Sequence, residues 1–260
     1  MIDPVSQARR LSSEFLSAIQ FLTRIPVPAQ PYEVDSLARS VKFFPLVGAI
    51  VGGSAALLHM LVAPHFPRLI AALLVLFYLV MVTGCLQEDG LADVADGFGG
   101  GRNREQILMI LRDSRIGSYG GVALVLSLFG RVLLLSSIPI TLVAPYLMTA
   151  HVLARWSALP LSYFLPPARP CTSQGADGQG ARIAKLTSTG TLMGGTIFSF
   201  VAAAALLRTH AIAPILVTTT LTLLTGTYYR RRIGGVTGDC FGASIQLAEI
   251  GVYLCGAWIV

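Results

Sequence analysis

The chain has 260 residues, of which 54% are hydrophobic and only 12% are charged, and its formal net charge is +6. Charged residues alone make up about 25% of an ordinary soluble domain, so the composition excludes that class and predicts an all-α, polytopic integral membrane protein. The positive balance suits an anionic membrane surface or a substrate that carries phosphates. No feature of the sequence predicts binding to nucleic acid.

Residues 1–42 form the first predicted segment. Apolar residues recur there at helical spacing before Pro26, namely Leu11, Phe15, Ile19 and Leu22. The pattern predicts a short amphipathic helix on the cytoplasmic membrane face, although packing against other cytoplasmic loops explains it equally well. The first forty residues lack the features of a cleavable signal sequence, so we expect the N-terminus to be retained.

Seven apolar stretches follow, each near the roughly 20 residues that cross the roughly 30 Å hydrocarbon core. They cover residues 43–63, 69–86, 119–138, 143–165, 191–207, 211–228 and 236–260. Only Pro139 and Pro145 mark a turn between 119 and 165. We therefore expect a single transmembrane domain over residues 1–260, with about seven helices.

The Lys and Arg residues favour one orientation of these helices. If the N-terminus is cytoplasmic, most of the 19 Lys and Arg residues fall in cytoplasmic segments, as the positive-inside rule requires. This places the N-terminus and the segment after the second stretch at the cytoplasmic face, which we expect to be that of a bacterial inner membrane.

The segment 87–118 carries the densest group of acids. Read as a helix, Asp89, Asp93 and Asp96 lie at i, i+4 and i+7 and share one face, beside Glu88. Carboxylates this close repel one another, and acids next to hydrocarbon mark functional sites. Oxygen-only ligands suit Mg²⁺, Mn²⁺ or Ca²⁺ rather than Zn²⁺, so the pattern predicts a site for a hard divalent cation.

A glycine run follows the acids. Gly99, Gly100 and Gly101 are predicted to end the helix and to supply free backbone N–H groups next to Arg102 and Arg104. This combination suits phosphate oxygens. Three glycines are more often a simple turn, but the adjacent acids and arginines strengthen the phosphate interpretation.

Several further polar groups lie near or inside the apolar stretches. Asp113 and Arg115 form either part of the site or a surface pair that contributes little to stability. The intramembrane candidates are Arg131, His151, Arg155, Asp239 and Glu249. For these, structural pairing between acids and bases is as reasonable as contact with a substrate.

Two other features predict less. Residues 166–189 are rich in Gly, Pro, Ser and Gln without apolar periodicity, so we expect a flexible cytoplasmic loop that is a substrate lid or a plain connector. The four cysteines have no C-x-x-C spacing and support neither a disulfide framework nor a zinc site.

Carboxylates, a hard cation and arginines at the mouth of a membrane domain suit the transfer of a phosphoryl-linked group to an alcohol. Asp93-x-x-Asp96-Gly97 resembles the opening of the motif in CDP-alcohol phosphotransferases, but their downstream pair of aspartates is missing at the expected spacing. A cation-coupled transporter is a second alternative. Its coupling acids would lie near the middle of the bilayer on broken helices, whereas these acids gather at one end.

A closer resemblance covers nearly the full length of the chain. It is carried by residues 21–28, 43–48, 88–97, 113–120, 235–239 and 242–243, and it is most specific in EDGLADVADG at 88–97 and DSRIGSYG at 113–120. These stretches resemble the cobalamin synthase family, the adenosylcobinamide-GDP ribazoletransferases of late corrinoid biosynthesis. Many members have a histidine directly before the acidic pair, where this chain has Gln87.

The resemblance implies a Mg²⁺-dependent reaction in which a ribose hydroxyl of α-ribazole, or of its 5′-phosphate, attacks adenosylcobinamide-GDP and expels GMP. The expected metal ligands are Glu88, Asp89, Asp93 and Asp96. The expected catalytic residues are Asp89, Asp93, Asp96 and Asp239, one of which accepts the proton of the nucleophile. The expected phosphate-contacting or metal-shell residues are Gly99, Gly100, Arg102, Arg104, Asp113 and Arg115. The expected partners are these substrates and the lipid bilayer, and a homo-oligomer or a membrane-associated biosynthetic complex stays open.

Overall fold

The structure is a computed structural model that describes residues 4–28, 39–169 and 187–258. Within these ranges the chain is helical and contains no β-strand, only an isolated bridge between Pro167 and Val236. The helices are α1 (Pro4–Leu22), α2 (Phe44–Val62), α3 (Arg68–Thr83), α4 (Leu86–Gly100), α5 (Arg104–Ile110), α6 (Ser118–Ser137), α7 (Ile140–Trp156), α8 (Ala158–Phe164), α9 (Thr189–Leu207), α10 (Ile212–Ile233) and α11 (Gly238–Ala257). The predicted all-α membrane fold is confirmed.

Four helical stretches in the described part of the chain are long and apolar enough to cross a membrane. They are Val41–Val62, Ser118–Ser137, Thr189–Ile233 and Gly238–Ala257. A fifth is added if α3 and α4, which meet at an angle of 87°, count as one broken span. The protein is therefore a multi-pass membrane protein, whereas the count of seven spans is not confirmed.

Two of the predicted stretches are interrupted in the structure. The stretch at 143–165 becomes α7 and the short α8, which meet at Ser157, and Pro145 lies inside α7. The stretch at 69–86 ends early, because Gly84 and Cys85 both adopt left-handed backbone angles, with φ of 64° and 60°. Glycine accepts such an angle freely, whereas a residue with a Cβ does so at a cost. The chain turns there and starts α4.

Helix α1 packs against the rest of the protein. Its Ile19 and Leu22 are buried in the core, and its Phe15 ring lies edge-on to Phe43 at a centroid distance of 5.6 Å. The buried carboxylate of Glu14 forms ion pairs with three cations, Arg10, Arg39 and Lys42. Of the two interpretations of the amphipathic pattern, these contacts favour packing against neighbouring segments.

Helix α11 lies at the centre of the bundle. It packs against α4, α6, α7 and α10, and most of its residues are buried, including Ser244, Gln246 and Glu249. A helix that is buried on nearly all sides brings its polar residues into the protein interior and away from lipid. The packing of α11 therefore determines which polar groups on the other helices come into contact.

The single-domain assignment and the lid role of residues 166–189 stay predictions, and residues 170–186 lie outside the described ranges.

Candidate active site

The site is built where α4 crosses the first turn of α11. The Cα atoms of Gly90 and Gly242 approach so closely that a Cβ added to Gly242 would lie 3.3 Å from the Gly90 Cα. A Cβ added to Gly90 would lie 2.9 Å from the Asp239 carbonyl oxygen. Only glycine permits the two backbones to approach this closely. As a result, Asp239 lies at the face of α4 that carries Asp89 and Asp93.

We call Asp89, Asp93 and Asp239 the acidic cluster. Asp93 is half-buried. Its carboxylate is repelled by three others, most strongly by that of Asp239 and then by those of Asp89 and Asp96. Neither Asp89 nor Asp93 forms a side-chain hydrogen bond or ion pair with any described residue, while Asp239 accepts a hydrogen bond from the Thr237 hydroxyl at 3.1 Å. Gathered carboxylates of this kind are unfavourable without a cation.

Asp96 has a different local role. One of its carboxylate oxygens accepts a hydrogen bond from the Gly117 N–H (2.7 Å) and the other from the Gly120 N–H (2.9 Å). Both amides lie at the start of α6, where a helix has unsatisfied N–H groups and a partial positive charge. Asp96 thus caps α6 and links it to α4, and its predicted role as a metal ligand stays a prediction.

Glu88 turns away from the acidic cluster into the bundle interior. Its Oε1 accepts hydrogen bonds from Arg131 Nη2 and from Gln246 Nε2, each at 2.8 Å. Arg131 also pairs with Glu249, at 3.3 Å between Nη1 and Oε1. Glu88, Arg131 and Glu249 are 6%, 2% and 3% exposed, so the ion pairs are fully enclosed. Glu88 Oε2 has no hydrogen-bond partner among the described residues, and a metal contact by Glu88 stays a prediction.

The pairing continues onto α7. His151 Nδ1 lies 3.6 Å from Glu249 Oε2, and Arg155 Nη1 donates to the same His151 nitrogen at 2.9 Å. We call Glu88, Arg131, Gln246, Glu249, His151 and Arg155 the buried network. It joins α4, α6, α7 and α11 and contains two glutamates and two arginines, so its formal charges cancel when His151 is neutral. Structural pairing is therefore the interpretation that the contacts support for these residues.

The glycine run forms the C-terminal end of α4. α4 continues through Gly100, and the Gly101 N–H donates to the Gly97 carbonyl at 2.9 Å. The prediction that the run ends the helix is confirmed, because Gly100 is the last residue of α4. The prediction of free amides does not hold for Gly101, whose N–H is bonded to Gly97. The glycines also serve close packing: a Cβ on Gly99 would lie 2.7 Å from the Tyr119 ring. A substrate contact at this end of α4 stays a prediction.

The arginines that were predicted to contact phosphate have different surroundings in the structure. Arg104 donates to the carbonyls of Ile233 (2.9 Å) and Ala168 (2.7 Å), which joins α5 to the chain on either side of the Pro167–Val236 bridge. Arg115 pairs with Asp113 at 2.6 Å on the surface, and its side-chain and backbone hydrogen bonds lower the pKa of Asp113 to about 2. The exposed Arg102 side chain makes no hydrogen bond with a described residue.

The residues present fit a magnesium ion that arrives with a phosphate. Among the described residues, no three His, Cys, Asp or Glu side chains form a group that could hold a metal ion by themselves. Mg²⁺ is usually held by only one or two carboxylates, with substrate phosphates and water completing its shell. Asp93, with Asp89 or Asp239, offers that number of carboxylate ligands.

Two residues near the site were missed by sequence reasoning. Gln246 binds Glu88, and its position three residues before Glu249, on the same face of a helix, was an available signal. Arg24 lies against the bend between α3 and α4, where its side chain covers Gly84. The resemblance includes Arg24, but no spacing in the sequence shows that residues 23–28 reach α4.

Comparisons with known proteins give the same family over nearly the whole chain. The family model for cobalamin-5-phosphate synthase matches residues 14–257. An adenosylcobinamide-GDP ribazoletransferase from Polaromonas sp. is 37% identical over 97% of this chain and 98% of its own length. Proteins of the same name from Azorhizobium caulinodans (38% identity, 96% and 97% coverage) and Vibrio cholerae (35% identity, 92% and 91% coverage) are also similar. No solved structure matches the chain.

These matches confirm the resemblance seen in the sequence and the predicted enzyme class, a transferase of cobalamin synthesis. The chain belongs to the cobalamin-5-phosphate synthase family.

Proposed function

We propose that this protein joins adenosylcobinamide-GDP to α-ribazole, or to α-ribazole 5′-phosphate, with Mg²⁺ as cofactor. The products are adenosylcobalamin, or its 5′-phosphate, and GMP. A bond forms between the ribose hydroxyl oxygen and the cobinamide-side phosphorus, and the bond from that phosphorus to the oxygen of GMP breaks. The names of the relatives support this assignment, and they displace the CDP-alcohol phosphotransferase and transporter alternatives.

The observation that carries the proposal is the acidic cluster at the α4–α11 crossing. Asp89 and Asp93 make no ion pair with a described residue, and Asp239 reaches them because Gly90 and Gly242 lack side chains. Mg²⁺, when bound, would neutralise the diphosphate and stabilise the leaving GMP. The cluster would hold the metal-bound diphosphate in place for attack.

The same carboxylates supply the acid–base chemistry. The attacking hydroxyl must lose its proton, and an ionised carboxylate within hydrogen-bond reach can accept it. Asp93 and Asp239 are the two candidates, since they lie on facing helices on either side of the crossing. Asp96 is the weaker candidate because both its oxygens already accept backbone hydrogen bonds.

We place this reaction at the cytoplasmic face of a bacterial inner membrane. Arg230, Arg231 and Arg232 end α10 at the same end of the bundle as the start of α11. This basic end agrees with the positive-inside rule. Both substrates carry polar groups that favour the aqueous side.

The direct test is GMP release by the purified protein in detergent, given adenosylcobinamide-GDP, α-ribazole and Mg²⁺. We expect release only when both substrates and the metal are present. Asp93→Asn should reduce it by about 10²- to 10⁴-fold, and Glu105→Gln, a change of an exposed acid in the same segment, should leave it unchanged. Absence of release by folded wild-type protein across Mg²⁺ and Mn²⁺ would reject the proposal.

A further inference from the structure

Arg24 is held at the bend between α3 and α4 by its backbone. Its N–H donates to the Val82 carbonyl at 2.6 Å, which fixes residues 23–28 to the end of α3. The preceding Thr23 is buried, and its hydroxyl donates to the Ile19 carbonyl at 2.8 Å. The Cα of Arg24 is therefore fixed relative to the α3–α4 bend.

The Arg24 side chain lies across that bend towards α4. A Cβ on Gly84, whose φ is +64°, would come within 2.8 Å of the Arg24 Cγ and 3.0 Å of its Cδ. Glycine at position 84 thus provides both the turn and the space for the arginine stem. Arg24, Glu88 and Asp89 all act electrostatically on the Cys85 thiol, which agrees with a position of the guanidinium near the first turn of α4.

The guanidinium itself has no protein partner within the described ranges. Arg24 is exposed, and its side chain forms no hydrogen bond or ion pair with a described residue. By contrast, Arg104 and Arg131 use their donors on protein acceptors. A guanidinium presents five N–H donors in a planar fork that matches phosphate oxygens. Because its backbone is held in place and its guanidinium is unpaired within the described ranges, Arg24 can bind an anion that also contacts the acidic cluster.

We propose that Arg24 forms a phosphate subsite that binds the diphosphate of the GDP-activated corrinoid. This inference rests on the proposed function and adds a substrate contact to it. A diphosphate placed between Arg24 and the carboxylates would have one side neutralised by the guanidinium and the other by the metal. Arg24 would then contribute to substrate binding more than to the chemical step, because its contact exists before the reaction.

The first test is steady-state kinetics of Arg24→Gln with α-ribazole, which has no phosphate, as the acceptor. Loss of a charged hydrogen bond predicts that KM for adenosylcobinamide-GDP rises about 10- to 100-fold. KM for α-ribazole should stay within about twofold, and Arg24→Lys should lie between wild type and Arg24→Gln because it keeps the charge but not the fork. Arg9→Gln, which removes an exposed cation from α1, is the matched control.

Measurements in detergent and in lipid vesicles distinguish the two possible sources of the phosphate, the substrate and a lipid headgroup. The effect of Arg24→Gln should appear equally in detergent without phospholipid and in vesicles that contain phosphatidylglycerol. An effect confined to the vesicles would mean that Arg24 binds a lipid headgroup, and it would overturn the proposal. An unchanged KM for adenosylcobinamide-GDP would also overturn it.

A binding measurement keeps this inference distinguishable from the proposed function. Binding of Mg²⁺–pyrophosphate to the full-length wild-type protein and to Arg24→Gln requires no turnover. Arg24-dependent binding without GMP release would retain the subsite and reject the proposed reaction. Equal binding by both proteins, or no binding by wild type, would reject the subsite.

Discussion

Two groups of carboxylates lie within a few helical turns of each other but differ in whether a cationic side chain pairs with them. In the buried network, Glu88 and Glu249 both pair with Arg131. In the acidic cluster, Asp89 and Asp93 have no such partner among the described residues and face Asp239 instead. The first group is neutralised by the protein, whereas we propose that the second binds a cation from outside. On this proposal the adjacent residues Glu88 and Asp89 belong to different systems, one structural and one functional.

The strongest test of this difference is removal of a carboxylate from the acidic cluster. Asp93→Asn should reduce kcat/KM for GMP release by about 10²- to 10⁴-fold, the range for loss of a positioned acid–base group. It should not lower the thermal unfolding midpoint, because it removes repulsion rather than a bond. A simultaneous loss of activity and of folding would place Asp93 in the structural system.

The reverse experiment removes the shared cation of the buried network. Arg131→Met leaves Glu88 and Glu249 buried without their cation, and breaking a buried pair in this way costs about 3–5 kcal/mol. Thermal unfolding in detergent should show a large decrease. Adding Glu88→Gln and Glu249→Gln removes the unpaired charges and should restore part of the loss. If Arg131→Met unfolds at the wild-type temperature, the network does not stabilise the bundle.

The helix crossing that separates the two groups can be tested through its glycines. Gly90→Ala places a Cβ against the backbone of Asp239 and Gly242, and overpacking of this kind costs about 1–3 kcal/mol. We expect lower stability and loss of GMP release, since α11 must move away from α4. Gly130→Ala on α6, where the added Cβ would meet no described atom within 4 Å apart from its own stretch of helix, is the control. It should be neutral or slightly stabilising, because alanine favours a helix.

The smallest effect is expected at the exposed pair of Asp113 and Arg115. A surface ion pair contributes little to stability, so Asp113→Asn should leave the unfolding midpoint unchanged. Its KM for adenosylcobinamide-GDP tests the sequence-based assignment of this pair to the substrate. A clear fall in the unfolding midpoint would show that exposure alone does not separate structural from functional acids in this protein.

The sequence was sufficient for the fold class and for the location of the acids. Composition predicted the membrane bundle, and the i, i+4, i+7 spacing predicted that α4 carries Asp89, Asp93 and Asp96. Partners across helices were not predictable, since nothing local to Glu88 or Asp96 shows that one meets Arg131 and the other the first amides of α6. The packing partners of the glycines were unpredictable for the same reason: Tyr119, which packs on Gly99, and the α11 backbone, which packs on Gly90, come from distant parts of the chain.

Some breaks in helices were not visible in the sequence pattern. The left-handed pair at Gly84 and Cys85 turns the chain near the end of an apolar run, and α7 and α8 meet at Ser157 inside the stretch predicted at 143–165. The 3₁₀ turn Arg208–Ala211, by contrast, lies where the sequence predicted a boundary between two stretches. Hydropathy reports burial or lipid contact, whereas the direction of the backbone depends on a few φ angles. Helix existence was therefore easier to predict than the number of spans.

One pair of matched variants on α11 tests the central claim most directly. Asp239 belongs to the acidic cluster and Glu249 to the buried network, so GMP release should be followed during Mg²⁺ titration of Asp239→Asn and Glu249→Gln, together with thermal unfolding. We predict that Asp239→Asn unfolds like wild type but needs at least about tenfold more Mg²⁺, or is inactive. Glu249→Gln should unfold at lower temperature, while its folded fraction keeps the wild-type Mg²⁺ requirement. The opposite pattern, or an equal shift in Mg²⁺ requirement for both variants, would contradict the division into a metal-requiring and a self-neutralised group.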